Sequence, residues 1–158
     1  MRVLVIDNDL TFGPLVREVL SSYYHQEPMI VDQIPECPKI VANVLVGVDI
    51  AMIDTEMVDR EGIDCMKAIR ESHKHLPVIM LSDVKNSDFT QICLDAGADD
   101  YVMKENVRRL LPDTVKSAIE RRSKKVIVED ETQRRGLRLE QLKDRVDHGL
   151  ATVKSRHR

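Results

Sequence analysis

The sequence predicts an α/β fold in which a doubly wound parallel sheet of five strands is covered by helices on both faces. Three observations lead to this prediction. Five short apolar runs alternate with segments whose apolar residues repeat at helical spacing. The runs are continuous rather than alternating, which is typical of strands buried on both faces. The regular succession of strand and helix favours parallel pairing through helical crossovers.

Strands and helices are predicted in alternation. The apolar runs predict strands at Val3–Ile6, Met29–Val31, Ile50–Ile53, Val78–Leu81 and Tyr101–Met103. The segments between and after them predict helices at Phe12–Tyr24, Ile40–Val46, Ile63–Ser72, Phe89–Ala96 and Val107–Arg122. Right-handed crossovers leave few ways to connect such elements, and a flavodoxin-like sheet with strand order 2-1-3-4-5 is favoured.

Charge divides the chain into two parts. Residues 1–120 carry 12 basic and 21 acidic side chains, a net charge of −9. Residues 121–158 carry 12 basic and 6 acidic side chains, a net charge of +6. This asymmetry predicts an acidic globular domain at 1–122 and a basic helical tail at 123–158.

The tail contains apolar residues at 3/4 spacing, which are Leu139, Leu142, Val146 and Val153. This spacing predicts a short amphipathic helix that dimerises, docks or links, or a charged helix that is simply solvated. Gly136 is expected to separate it from the preceding helix, with one long helix bent there as the alternative. The basic residues lack interleaved aromatic side chains, so nucleic acid is not expected as a partner.

The first apolar run is far too short for a signal peptide or a membrane span. Cys37, Cys65 and Cys93 are widely spaced and are interpreted as buried thiols, which is typical of a reducing compartment. A cytoplasmic protein without membrane contact is therefore expected.

Four polar residues are predicted to lie at one edge of the sheet. Asp7 ends the first strand, Asp54 the third and Ser82 the fourth, and Lys104 follows the fifth. The carboxyl ends of parallel strands share an edge, where ligands bind at the point at which the strand order reverses. Asp7 and Asp54 are expected to face each other there. Each residue alone has an ordinary explanation as a cap or turn residue, and only their conjunction favours a site.

Such a site suits the transfer of a phosphoryl group. Two neighbouring carboxylates repel each other, and a hard divalent cation such as Mg²⁺ relieves the repulsion. A carboxylate can then act as a nucleophile and form an aspartyl phosphate. The phosphoryl oxygens need a cation and hydrogen-bond donors, which Lys104 and Ser82 supply. The pattern predicts that one of these carboxylates accepts the phosphoryl group.

Four segments resemble the motifs of receiver domains of two-component response regulators, including the chemotaxis regulators. Residues 5–9, Val-Ile-Asp-Asn-Asp, are similar to the acidic cluster that opens these domains. Residues 50–54, with Gly62 beyond them, resemble the phosphoacceptor strand and its loop. Residues 77–82 resemble the strand that ends in the Ser/Thr switch residue. Residues 96–104, Ala-Gly-Ala-Asp-Asp-Tyr-Val-Met-Lys, resemble the aromatic strand that ends in an essential lysine.

The resemblance covers roughly residues 1–122 and implies a role for each site residue. Asp54 is phosphorylated by a histidine kinase or a phosphotransfer protein, and Lys104 pairs with the phosphoryl oxygens. Ser82 moves towards the phosphate, and Tyr101 follows from an exposed to a buried rotamer. The implied ligands of Mg²⁺ are Asp7, Asn8, Asp54 and the backbone carbonyl of Glu56.

The resemblance also implies how the signal leaves the domain. A downstream protein would bind the face formed by the fourth predicted helix, the fifth strand and the fifth helix. A homodimer is a further alternative. The expected chemistry is self-phosphorylation and dephosphorylation of one aspartate, not enzymatic turnover of a separate substrate.

Several residues depart from the receiver pattern. Asn8 stands where the family usually has a second acid, so weaker Mg²⁺ binding is expected. Asp83 replaces a small residue and would crowd and repel a phosphoryl dianion. Glu105 and Val58 replace prolines, so the customary cis peptide after the lysine is not expected. Glu56, two residues past the acceptor, is expected to influence hydrolysis of the acyl phosphate.

These departures keep two alternatives open. One is a degenerate, receiver-like adaptor that acts through protein–protein contacts without phosphate. The other is a metal-dependent phosphohydrolase, for which Glu56 has the right offset from Asp54. The spacing of Ser82, Tyr101 and Lys104 favours the receiver over this enzyme.

Overall fold

The computed structural model describes residues 1–24, 30–34, 45–57 and 61–155 of the protein. Five strands form one parallel sheet in the order β2-β1-β3-β4-β5. The strands are β1 (Arg2–Ile6), β2 (Ile30–Ile34), β3 (Ile50–Asp54), β4 (Val78–Ser82) and β5 (Asp100–Met103). The helices are α1 (Phe12–Tyr23), α2 (Glu61–Ser72), α3 (Ser87–Asp95) and α4 (Val107–Ser155), with a 3₁₀ turn at Lys104–Asn106. The predicted fold class and strand order are confirmed.

Each face of the sheet carries its own apolar core. Successive strand residues point to opposite faces, so neighbouring residues of one strand belong to different cores. One core joins the sheet to α1 and α4, and its strand residues include Val5, Met52 and Leu81. The other joins the sheet to α2 and α3, and its strand residues include Ile6, Ile53 and Met80. This burial on both faces explains why the strand sequences are continuously apolar.

The edge strand β2 is less apolar than its neighbours. It contains Asp32 and Gln33 and pairs with β1 alone. The Asp32 carboxylate lies 2.9 Å from the Arg2 guanidinium. An edge strand accommodates polar side chains, so the apolar run in the sequence marked only part of β2.

The second predicted helix, 40–46, lies outside the described residues except for Leu45 and Val46. These two residues are not helical. The fourth and fifth predicted helices correspond to α3 and to the first part of α4.

The predicted helix break at Gly136 is wrong and the alternative of one continuous helix is confirmed, because α4 continues through this residue to Ser155. A glycine inside a helix costs only about 1 kcal/mol relative to alanine, and the good helix formers around it offset that cost. The chain forms two compact units, Met1–Ser123 and Lys124–Arg158. In the second unit the described side chains, from 124 to 143, are exposed apart from half-buried Val126.

The cysteine prediction is confirmed in part. Cys93 is a buried free thiol, whereas Cys65 is buried but disulfide-bonded, so the prediction of a thiol there is wrong. Spacing along the chain does not show which sulfur atoms meet in space. Cys37 lies outside the described residues. Of the helices that the structure describes, none combines the length and the apolar composition needed to span a membrane.

Candidate functional site

The carboxyl edge of the sheet gathers four of the predicted residues. Asp7 directly follows β1, Asp54 and Ser82 end β3 and β4, and Lys104 directly follows β5. The side chains of Asp7, Asp54 and Ser82 are buried, at 0%, 2% and 0% exposure. Because β1 and β3 are neighbours in the sheet, the two carboxylates meet at the point where the strand order reverses, as predicted.

Lys104 joins the two carboxylates. Its Nζ lies 2.9 Å from Asp7 Oδ2 and 3.3 Å from Asp54 Oδ1, and the lysine side chain is only 13% exposed. The ammonium group also lies 5.1 Å from the centre of the Phe12 ring, a distance at which cation–π attraction operates. The role of Phe12 was not predicted, because its position in the sequence is that of an ordinary core residue of α1.

Burial and charge oppose each other at this site. Burial raises the pKa of the Asp54 carboxyl, and the Asp7 charge adds to this, while the Glu56 N–H and Lys104 act in the opposite direction. Burial by itself lowers the pKa of Lys104, but its contacts with Asp7 and Asp54 outweigh burial, so the pKa of the lysine is raised. The lysine therefore stays charged and holds two buried acids together.

Backbone groups fix the orientation of both carboxylates. The Asp9 N–H donates to Asp7 Oδ1 at 2.8 Å, and the Glu56 N–H donates to Asp54 Oδ1 at 3.2 Å. Each acid is thus held by the amide two residues further along. The Glu56 bond opposes the rise that burial causes in the pKa of Asp54.

Gly62 lets the start of α2 approach the end of β3. A Cβ atom at this position would lie 2.2 Å from the Asp54 carbonyl oxygen and 3.0 Å from the Thr55 Cα. No side chain fits there. The glycine eight residues after the acceptor is therefore needed for close packing of backbone against backbone.

The site offers oxygen ligands to a divalent cation, but few of them are negatively charged carboxylates. Asp7 and Asp54 are the two acids at its centre, and within the described ranges no three His, Cys, Asp or Glu side chains group as a metal centre. Asn8 and Glu56 are exposed beside them. The Asp9 side chain accepts bonds from the Thr11 N–H and hydroxyl at 2.9 and 2.7 Å, which closes a turn before α1. The N-cap residue of α1 is Thr11, so Asp9 does not cap the helix.

Ser82 and Tyr101 meet at the loop after β4. The Val84 N–H donates to Ser82 Oγ at 3.0 Å, and the Tyr101 hydroxyl donates to the Val84 carbonyl at 2.9 Å. Tyr101 is half-buried and packs beside the core that includes Met80 and Cys93. Val84 therefore bonds to both predicted switch residues.

Replacing Tyr101 by phenylalanine tests that connection. The variant is expected to lose about 1 kcal/mol of stability, because a part-buried hydroxyl bond is removed. Urea denaturation measures the change. Tyr23→Phe is the matched control: its hydroxyl lies 3.1 Å from Asp113 on the surface, and no measurable change is expected. Equal losses of stability in the two variants would show that the bond to Val84 contributes no more than an exposed hydrogen bond.

The residues that depart from the family pattern lie around the site. Asp83 is exposed, so its carboxylate is not buried against the acceptor. Glu105, in the 3₁₀ turn after β5, pairs with Lys85 of the loop after β4, with 3.0 Å between Oε1 and Nζ. No cis peptide occurs in the part of the chain that is described, in agreement with the expectation for the bond after Lys104. Val58 lies outside the described residues.

A second polar cluster, which was not predicted, lies at the opposite edge of the sheet. Asp99, just before β5, contacts the Arg70 guanidinium at 3.0 Å and that of Arg122 at 2.7 Å. Asp99 and Arg122 are 5% and 4% exposed. The sequence offers no signal for this cluster, because its members lie tens of positions apart in elements with different periodicities.

Comparison with known proteins identifies a family over most of the chain. The family model described as "Response regulator receiver domain" matches residues 3–116. A protein-glutamate methylesterase/protein-glutamine glutaminase from Nocardioides sp. is 30% identical over 135 residues, which are 77% of this chain and 37% of that protein. The transcriptional regulatory protein CpxR of Escherichia coli (strain K12) is 28% identical over 110 residues, 65% of this chain and 42% of that protein.

Solved structures show the same fold. A receiver domain protein (CheY-like) from Methanospirillum hungatei JF-1 superimposes with a TM-score of 0.65 at 21% identity, covering 78% of this chain and 97% of that one. A receiver domain protein from Clostridium thermocellum gives a TM-score of 0.65 at 22% identity, covering 80% and 98%.

This chain spans less than half the length of the two sequence relatives described above. The part that matches contains the sheet and all the residues at its carboxyl edge. Because the family model matches 114 of 158 residues, the chain belongs to the response regulator receiver domain family.

Proposed function

We propose that Asp54 accepts the phosphoryl group and that the chain acts as a phosphorylation-controlled switch in signal transduction. Receiver domains accept a phosphoryl group on an aspartate, and the residues of this site support Asp54 for that role. The supporting observation is the Lys104 ammonium group placed between two buried carboxylates, 3.3 Å from Asp54 and 2.9 Å from Asp7. In this proposal residues 1–122 form the receiver domain and residues 123–158 form a separate helical segment.

The transfer step follows from this arrangement. An ionised Asp54 oxygen attacks the phosphorus atom of a phosphohistidine on a histidine kinase or phosphotransfer protein. The new O–P bond forms while the N–P bond breaks, and the leaving imidazole nitrogen keeps the electron pair. Lys104 stabilises the charge on the phosphoryl oxygens, and the Ser82 hydroxyl donates a hydrogen bond to one of them.

Mg²⁺ is the cofactor that the residues fit. Asp7, Asn8, Asp54 and the Glu56 carbonyl would hold it, with water completing the shell, as is usual for this ion. When bound, it would neutralise charge on the transferring phosphoryl group. Lys104 already occupies Asp7 Oδ2, and Asn8 brings no charge, so the affinity for Mg²⁺ is expected to be lower than in a site with three acids.

Phosphorylation would be read on the face formed by α3, β5 and the first part of α4. Ser82 and Tyr101 both bond to Val84, so a shift of Ser82 towards the phosphate changes the bond that holds Tyr101. Receiver domains interact with histidine kinases and downstream effectors, and a downstream protein is the proposed partner of this face. Homodimerisation is proposed as a second mode of association, and nucleic acid is not proposed as a partner.

The proposed setting is the cytoplasm, and the proposed chemistry is confined to the aspartyl phosphate. Two relatives are named as protein-glutamate methylesterases, but this chain matches only 30% and 37% of their length. Asp83 and Glu56 are proposed as modifiers of the rates at which the phosphate forms and hydrolyses, because both are acidic residues next to the site.

Intact mass measurement tests the proposal. The wild-type protein incubated with acetyl phosphate and Mg²⁺ is expected to gain one phosphoryl group, and Asp54→Asn is expected to gain none. A matched control is Asp130→Asn, which removes an exposed acid of α4 outside residues 1–122 and should keep the phosphorylation. A wild-type chain that gains no phosphate from acetyl phosphate or from a phosphorylated histidine kinase would contradict the proposal. It would favour a phosphate-independent adaptor.

A further inference from the structure

Two adjacent acids at the start of β5 contact two adjacent arginines of α4. Asp99 pairs with Arg122 at 2.7 Å, and Asp100 pairs with Arg121. No other part of the sheet is tied to the same turn of α4 by charge among the residues described. We name these four residues the β5–α4 joint.

The joint is anchored in the protein on both sides. Asp99 also accepts a bond from the Val78 N–H at the start of β4, at 2.8 Å. Arg122 is 4% exposed and donates to the Gly97 carbonyl at 3.1 Å. A charged side chain this buried is held in place by its partners, since moving it would leave them unpaired. The turn of α4 at residues 121–122 therefore follows the start of β5.

The strand β5 connects this joint to the phosphorylation site. Tyr101 is the next residue after Asp100, and Lys104 comes three residues later. At about 3.3 Å per residue, the strand spans about 13 Å between the joint and the site lysine. Because β5 is paired with β4 from Asp100 to Met103, a displacement at Lys104 or Tyr101 would reach Asp100 through one continuous paired strand.

We propose that the β5–α4 joint transmits the phosphorylation state from β5 to the helical segment that begins at Lys124. This inference rests on the proposed phosphorylation of Asp54. The joint lies at the last residues of the first unit, and α4 runs on from it without a break to Ser155. A change in the position of residues 121–122 is therefore a change at the origin of the helical segment. The joint acts as a positioning element and does not touch the reacting atoms.

The structure supplies a matched pair of variants. Arg121→Gln removes one ion pair of the joint, and its side chain is 54% exposed, so folding is not at risk. Arg108→Gln removes another exposed ion pair of α4, with Glu18 of α1 at 2.7 Å. Both variants remove one positive charge from the same helix, and only the first weakens the connection to β5, because the Asp99–Arg122 pair remains. Arg122→Gln serves as a second, more disruptive variant of the joint.

Hydrogen–deuterium exchange by mass spectrometry is the readout, with and without acetyl phosphate and Mg²⁺. The fraction of phosphorylated chain is measured in the same samples by intact mass. Phosphorylation of the wild type is expected to change exchange both in residues 100–104 and in residues 124–143. In Arg121→Gln the change at 100–104 should persist, while the change at 124–143 should fall to half or less. Arg108→Gln should respond like the wild type.

The outcomes separate the two proposals. If the wild type gains no phosphoryl group, the proposed function fails and the joint proposal fails with it. If the wild type is phosphorylated and residues 100–104 respond but residues 124–143 do not, only the joint proposal is overturned. It is also overturned if Arg121→Gln and Arg108→Gln give the same response at residues 124–143.

Discussion

Gly62→Ala is expected to destabilise the receiver domain by about 3 kcal/mol, at the upper end of what overpacking usually costs. The added Cβ would lie 2.2 Å from the Asp54 carbonyl oxygen and 3.0 Å from the Thr55 Cα. Both are backbone atoms, so no side chain can rotate away to make room. The start of α2 or the end of β3 has to move, and β3 is held by β1 and β4. Urea denaturation followed by circular dichroism measures the loss.

Gly136→Ala is the matched control for this substitution. A Cβ at Gly136 meets no atom within 4 Å, and the residue lies inside α4. Alanine is a better helix former than glycine by about 1 kcal/mol, so helicity at 222 nm should rise and the urea midpoint of the receiver domain should not fall. If Gly62→Ala is as stable as the wild type, α2 does not approach β3 closely enough to exclude a Cβ atom at position 62.

The carboxyl edge of the sheet could be predicted because its residues are marked in the sequence. Asp7, Asp54, Ser82 and Lys104 each stand at the end of an apolar run, and a parallel sheet brings such ends to one edge. The strand order then decides that Asp7 and Asp54 are neighbours. The sequence therefore contained the identity of these residues and their proximity, but not their contacts.

The contacts around the site depend on side-chain conformations that the sequence does not determine. The pairing of Lys104 with both acids, the position of Phe12 beside it and the shared contact at Val84 are examples. The Gly136 prediction failed for a different reason. A propensity difference of about 1 kcal/mol is a weak preference, which surrounding residues override.

The ion cluster around Asp99 could not be predicted from the sequence, for a third reason. Arg70 lies on α2, Asp99 before β5 and Arg122 on α4, and nothing in the spacing of charged residues distinguishes them from a solvated surface. Lys and Arg are seldom buried unless they are paired. Burial and pairing both result from the folded arrangement, so this cluster becomes apparent only in three dimensions.

Asp99→Asn is expected to cost about 3 kcal/mol, because two guanidinium groups would lose their shared anion in a buried setting. Arg122 is 4% exposed and Arg70 16%, so water cannot compensate fully for the lost charge. Asparagine keeps an acceptor for the Val78 N–H, which limits the change to the charge. Urea denaturation measures it, with Glu18→Gln as the control. That substitution also removes a carboxylate partner of an arginine, but in an exposed pair, and little change is expected.

A second substitution separates the loss of charge from the loss of packing. Arg122 Nε is buried without an acceptor among the described residues. Burial of this arginine therefore lowers the stability of the fold once Asp99 is neutral. The double variant Asp99→Asn/Arg122→Met removes the more buried of the two guanidinium groups that lost their anion and replaces it by an apolar side chain of similar length, while Arg70 remains. It is expected to be more stable than Asp99→Asn alone, since it no longer buries the unneutralised charge of Arg122. If the double variant is less stable than both single variants, with additive losses, Asp99 and Arg122 do not interact. Such additivity would also remove the physical basis of the β5–α4 joint at Asp99.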